Sequence, residues 1–267
     1  MKVFTGNKDT DLRIIQNLED KEIYTVGKVN RYVYKLCEDE NFWINRLLNR
    51  SKFSIEKINK IKGDLTYKKL YKYLYLGDYG QGFNHAIQND NVYLYKLIPI
   101  KKFHLLYTTV INAAGFGSIE ILNYIFLSIS GDDRYNFILS CYSGANDKTI
   151  NWLDKMDLID YSQFISKMIL EGCDEDDYTY DMIKKYLHEV KYTEDFMDEL
   201  GYSLSNSNLE SRKKIFDLFI ENNIDIDYYE NAILAAEDRS VYRCIDKNKL
   251  INWVNYVNNK MKRPNKK

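Results

Sequence analysis

Small side chains recur at Ala86, Ala113 and Cys141, 27 and then 28 residues apart. Apolar residues keep step with them. Val92, Leu94 and Ile98 fall opposite Ile119, Ile121 and Ile125, and Leu153 falls opposite Ile125 one unit later. A unit of this length holds two short helices and no interior of its own, so its apolar stripes are buried only against the next copy. The repetition asks for an all-α array of stacked helix pairs. Proline scarcity agrees with it. With 2 Pro and 12 Gly in 267 residues, the chain lacks the turn residues that a loop-rich β-sandwich requires. Pro99 and Pro264 both fall outside the best helical patterns, as an unbroken helix interior demands.

The clearest unit reads Ile111-Asn-Ala-Ala-Gly-Phe-Gly-Ser-Ile-Glu-Ile-Leu-Asn-Tyr-Ile125. Ala113 and Ala114 let an inner helix approach its neighbours closely. Gly117 is expected to end that helix in a left-handed conformation, and Ile119, Ile121, Leu122 and Ile125 stripe an outer helix. A second good unit spans Ile215 to Ile226 and leads into Ala232–Tyr242, where Ala235 and Ala236 match Ala113 and Ala114. These segments resemble ankyrin repeats, with their "A-A-x-x-G-x-x-x-[IV]-[IV]-x-x-L-L" core and "L-L-x-x-G-A-D-[IV]" connector. Asn222 and Asn223 stand near the usual connector glycine, and Asn tolerates positive φ. Weaker units run from Tyr135 to Met156, Tyr161 to Leu187 and Phe196 to Ile220. The "T-P-L-H" tetrapeptide that opens an ankyrin inner helix is missing, and Asp174–Asp177 and Ser203–Ser207 lengthen two turns. The resemblance implies five or six degenerate repeats over residues 83–259, forming a solenoid. A non-repeating α-helical domain is the alternative.

Residues 1–76 differ in kind. Leu12, Ile15 and Leu18 make one stripe, with Asp9 or Thr10 as its cap. Asp20 is expected to cap a second helix with an inner face of Ile23, Val26, Val29 and Val33. Asp39 is expected to open a third, which holds Phe42, Trp43, Leu47 and Leu48. Three helices this short bury their stripes only against one another, which gives a small three-helix bundle. Between it and the repeats, Gly77-Asp78-Tyr79-Gly80-Gln81-Gly82 reads as a linker over 77–82. A phosphate loop would need a following Lys-Ser/Thr or a preceding buried strand, and neither is present.

The stretch Leu12–Leu47 resembles an F-box, the motif that docks the Skp-type adaptor of cullin–RING ubiquitin ligases. Leu12-x-Ile14-Ile15-x-x-Leu18 fits its first helix, Asp20-x-x-Ile23-x-x-Val26-x-x-Val29 its second, and Leu36 the closing leucine. Asp39 followed by Phe42-Trp43-x-x-x-Leu47 fits its "D-x-x-L-W-x-x-x-L" ending, and Thr66–Tyr71 resembles the "s-W-k-x-l-Y" segment that often follows. The usual Leu-Pro opening falls on Gly6-Asn7, and the usual Arg-Trp pair on Tyr32-Val33. The resemblance implies adaptor docking through Leu12, Ile15, Leu18, Ile23, Val26, Val29 and Trp43. The same helices also suit a plain cap that seals the end of the array.

Other chemistries find little support. A net charge of −1 argues against a nucleic-acid binder that works by wholesale phosphate neutralisation. Cys37, Cys141, Cys173 and Cys244 form no C-x-x-C pair, and His85, His104 and His188 are equally dispersed, so no metal or cofactor is expected. An EF-hand loop begun at Asp174 would need Gly where Thr179 stands and Glu where Lys185 stands. Asp174–Asp177 reads instead as a solvated turn at the start of a helix over 180–187. Ser140-Cys141 lies in a helical stripe, and His188 ends a helix while His85 and His104 lie near inner-helix starts, so no catalytic residues are expected. MKVFTGNKDTDLR holds no apolar signal core, and no apolar run reaches the length of a membrane span. A cytoplasmic, reduced protein is the expectation. The basic tail, residues 260–267, is a frayed terminus or a nuclear address. The 24 Tyr accompany many Lys, Asn and Ile, a pattern of AT-rich coding more than of binding surfaces. That composition, with an F-box and ankyrin plan, resembles proteins of large DNA viruses infecting protists, which would place the chain in host cytoplasm. The expected function is a non-enzymatic protein–protein interaction adaptor, with a Skp-type adaptor and an unknown target as partners. An adaptor-independent binding module is the alternative, and neither a small-molecule substrate nor a membrane is expected.

Overall fold

A computed structural model describes residues 4–98, 106–172, 177–190, 209–222, 255–256 and 259–260. All regular structure among the described residues is helical, with no strand. None of their helices is long and apolar enough to cross a membrane. The chain divides into two compact units at Ser128/Ile129.

The first unit opens with four helices where the apolar stripes suggest three: α1 (Lys8–Gln16), α2 (Asp20–Val29), α3 (Arg31–Leu36) and α4 (Glu40–Ser51). The extra break is at Asn30. Its extended backbone ends α2, and its side chain accepts from the amides of Tyr32 and Val33 to start α3. Val33 therefore joins the core from a separate helix. Two expected caps are also reassigned. Asn7, rather than Asp9 or Thr10, accepts from the Asp9 and Thr10 amides. Glu19, rather than Asp20, caps α2 through a reciprocal box with Glu22. Asp39 caps α4 as expected, accepting from the Asn41 amide.

Next come α5 (Ile55–Lys62), α6 (Tyr67–Tyr75), α7 (Tyr79–Gln88), α8 (Val92–Leu97), α9 (Leu106–Phe116) and α10 (Ile119–Ser128). One row of packed helices runs α4, α6, α7, α9; a second runs α5, α8, α10. The glycine-rich stretch is not a linker, because from Tyr79 onward it is helix. Gly77 turns the chain at φ +87°, while Gly82 serves close packing. A Cβ built there would lie 2.7 Å from Cβ of Tyr73 and 3.2 Å from Cδ1 of Ile98.

The 27-residue period reappears as backbone geometry. Asp90 and Gly117 both take positive φ, +50° and +66°. The next residue's amide, of Asn91 or Ser118, donates back to the carbonyl of Ala86 or Ala113 at 2.8 Å, which is the closing bond of a Schellman turn. Each side chain then reaches the preceding layer: Asn91 Nδ2 donates to the Ile61 carbonyl at 2.9 Å, and Ser118 Oγ donates to that of Ile87. The Asp90 carboxylate accepts from the Glu120 and Ile121 amides at the start of α10, both at 3.0 Å. Burial follows the same register. Ala86, Ala113, Ala114, Leu94, Ile121 and Leu122 are fully enclosed, while Val92 and Ile119 are half-buried.

The second unit holds α11 (Asp132–Gly144), α12 (Asp147–Lys155), α13 (Tyr161–Gly172), α14 (Asp177–Tyr186), a 3-10 turn (Leu187–Glu189) and α15 (Leu209–Glu221). Here the register changes. Cys141 is buried like Ala113, but Ala145, which stands where Gly117 would align, has φ −58°. The left-handed residue comes instead at Asp157, φ +55°, after α12. Tyr142 fills the space between α11 and α13, edge-on to Phe164, and its hydroxyl accepts from the Asp160 amide at 2.8 Å. Lys260, placed by the sequence in the basic tail, is helical and pairs with Asp217 at 2.7 Å. The residues from 261 on lie outside the described ones, as do Cys173, Asp174–Asp176, Ala235, Ala236 and Cys244.

The Gly82 contact generates a paired prediction. Gly82→Ala should destabilise by about 1–3 kcal/mol, the usual cost of overpacking. Gly80→Ala, with open space around the new methyl, should be neutral or stabilising by up to about 1 kcal/mol. Urea denaturation of both variants measures the contrast.

Candidate functional site

Helices α1, α2, α4 and α6 are assembled around one carboxylate. Asp20 accepts from Arg46 Nη2 at 2.6 Å and from the Tyr71 hydroxyl at 2.7 Å, and it pairs with Arg50. Arg46 Nη1 also donates to the carbonyls of Gln16 and Leu18, both at 3.1 Å. The end of α1, the start of α2, α4 and α6 are thereby tied together. The guanidinium groups lie over aromatic faces, with Arg46 above Tyr71 and Arg50 above Tyr75, an additional attraction for a cation. Burial pushes the Asp20 carboxyl up, but hydrogen bonds from Tyr71, Arg46 and Arg50 outweigh it and hold the group below its ordinary value of 3.8.

A second carboxylate, Asp11, joins Gly6 to Tyr32, two positions where the sequence departs from the F-box pattern. Asp11, out of contact with solvent beneath Thr5 and Gly6, accepts from the amides of Thr5 (2.7 Å) and Gly6 (2.8 Å) and from the Tyr32 hydroxyl (3.0 Å). Gly6 takes φ +82° and Asn7 caps α1. The residues at the Leu-Pro and Arg positions are therefore bonded to each other through Asp11. Val33, at the Trp position, is fully buried.

The residues expected to dock an adaptor separate into two groups. Ile15, Ile23 and Trp43 are at most 4% exposed and hold the helices together. Trp43 donates its indole N–H to the Cys37 carbonyl at 2.6 Å and packs against Phe42 and Tyr71. Leu12, Leu18 and Val26 are half-buried, as is Ile14, so each keeps apolar surface open to a partner. The side chain of Val29 lies outside the described ones.

Sequence reasoning missed a groove of about 720 Å³ along these helices. Ile23, Gly27, Cys37 and Trp43 form its apolar floor, and Lys28, Arg31, Lys68 and Lys72 stand around it with Glu38 and Tyr34. The Glu38 carboxylate sits on Lys68 Nζ, which holds its carboxyl below the ordinary range. Gly27 is a helical residue without positive φ, and a Cβ built on it meets nothing within 4 Å. Neither conformation nor packing requires glycine there, although glycine in a helix costs about 1 kcal/mol relative to Ala. Its effect is to leave the floor open. The Lys28/Arg31 and Lys68/Lys72 spacings were visible in the sequence; that all four line one groove, from α2, α3 and α6, was not.

Elsewhere, burial pushes the Cys141 thiol well up, and Ser140 donates to the Asn136 carbonyl, so neither is poised as a nucleophile. His85 lies in the last turn of α7 rather than near its start and bonds Asp64 at 3.0 Å. His188 sits in the 3-10 turn beside Glu189, and His104 lies outside the described residues. Among the described residues no group of three or more His, Cys, Asp or Glu gathers as a metal site. No protein-family model, curated protein or solved structure matches the chain.

The Asp20 cluster sets a test with a definite sign. A carboxyl whose folded pKa is depressed contributes stability above its unfolded value and loses that contribution as pH falls through the folded one. Asp20→Asn should lower stability at pH 7 by about 2 kcal/mol, the scale of a charge-assisted hydrogen bond. The gap between variant and wild type should narrow as pH drops below the ordinary value of 3.8. Thermal melts across that range check both statements.

Proposed function

We propose that the chain is a protein-interaction adaptor that catalyses nothing itself. Its F-box-like helices dock a Skp-type adaptor of a ubiquitin ligase, and its ankyrin-like helix pairs hold a target. The observation that carries the reading is the apolar surface left open on Leu12, Ile14, Leu18 and Val26 while Ile15 and Ile23 are buried. A self-contained three-helix cap has no need of that surface. The Asp90 and Gly117 turns, with their cross-layer bonds at Asn91 and Ser118, support the repeat reading. Tyr93, Tyr107, Phe116 and Leu127 on α8–α10 are all more than 45% exposed, which suits a surface built for contact. Proximity is the mechanism: target and ligase are brought together on one chain, in the cytoplasm.

A second reading, an adaptor-independent module, is favoured by Gly6 and Asn7. Their backbone closes onto Asp11 and α1 where the F-box pattern places a Leu-Pro contact. Size-exclusion chromatography with a purified eukaryotic Skp-type adaptor separates the two. The ligase reading expects co-elution. Leu12→Asp with Leu18→Asp should weaken it by at least about 30-fold, roughly 2 kcal/mol, with helical content retained. No complex with the intact chain at micromolar concentration would remove the ligase and leave the second reading.

A further inference from the structure

The groove on the first unit combines features that the adaptor reading does not use. Its floor is apolar, its rim carries four cations against the single carboxylate of Glu38, and Gly27 on α2 leaves open space where a side chain would stand. The cations stand on two walls. Lys28 and Arg31 lie either side of the α2–α3 break, and Lys68 and Lys72 are one turn apart on α6. We infer that the groove holds a short acidic segment of a partner protein, with one bulky apolar side chain seated over Gly27 between Ile23 and Trp43 and carboxylates set against the two cationic walls.

Three observations select that chemistry. First, the rim already binds a carboxylate, since Glu38 sits on Lys68 Nζ at 2.5 Å with Tyr34 beside the same ammonium. Second, a compact free anion would engage one wall and leave the apolar floor wet, whereas a peptide spans both walls and fills the floor. Third, the whole chain is near neutral at −1, so a concentration of four cations around one apolar trough is a local feature that draws an acidic partner. Gly27 adds selectivity by size, because any larger residue would occupy the space the anchor needs. The inference goes beyond the adaptor reading and does not rest on it, and the two fail separately.

The test uses the full chain and a fluorescein-labelled peptide, Glu-Glu-Asp-Leu-Trp-Glu-Glu-Asp, read by anisotropy. Wild type binds, with affinity falling as salt rises. Gly27→Leu fills the floor where nothing stands within 4 Å. It should weaken binding by at least about tenfold, equal to about 1.4 kcal/mol, while its thermal midpoint is no lower than wild type. Lys28→Glu with Lys72→Glu should weaken binding comparably and flatten the salt dependence. Leu12→Asp with Leu18→Asp should leave the probe's affinity unchanged. Absence of binding at about 100 µM protein, equal binding by Gly27→Leu, or equal binding of a probe with Ala-Ala in place of Leu-Trp would each overturn the inference.

Discussion

The first unit depends on the Asp20 carboxylate. It draws in Arg46, Arg50 and Tyr71 at once, and Arg46 in turn holds the carbonyls that close α1. Four helices too short to be stable alone acquire their relative orientation from that cluster and from the buried Phe42, Trp43, Leu47 and Leu70 around it. A partly buried ion pair gives modest net stability. Its greater value is in specifying one arrangement, because removing either partner leaves a charge without its mate. The open apolar surface of α1 and the groove beside α2 are both consequences of where this cluster places the helices.

Periodicity carried much of the fold into the sequence. The correspondence of Ala86 with Ala113 and of Leu94 with Ile121 marked side chains that are fully enclosed, and it extended to the left-handed residues Asp90 and Gly117. Apolar spacing reports burial, and burial is what the repeat conserves physically. Turn geometry was legible only where a glycine signalled it. Asp90 and Asp157 take the same conformation with no such signal, so the altered register after Cys141 was invisible. Gly82 misled for the opposite reason: a glycine needed for close helix packing reads the same as one needed for a bend.

The site was less legible than the fold. Spacing identified apolar residues but not which of them the fold would consume. Ile15, Ile23 and Trp43 went inward, and Leu12, Leu18 and Val26 stayed at the surface. That division depends on the Asn30 break and on Tyr71 arriving from α6, both long-range facts. The departures at Gly6 and Tyr32 looked independent in sequence, and only the shared bond to Asp11 makes them one local solution. The groove's cations come from three helices, so no linear motif announces them.

The adaptor reading places docking of the Skp-type adaptor on α1 and α2, through Leu12, Ile14, Leu18 and Val26. Hydrogen–deuterium exchange of the full chain, with and without a purified Skp-type adaptor, measures this directly. The account predicts new protection confined to α1 and α2 and their junction, with the second unit unchanged. Protection that appears only beyond Ile129, or none anywhere at saturating adaptor, would contradict it.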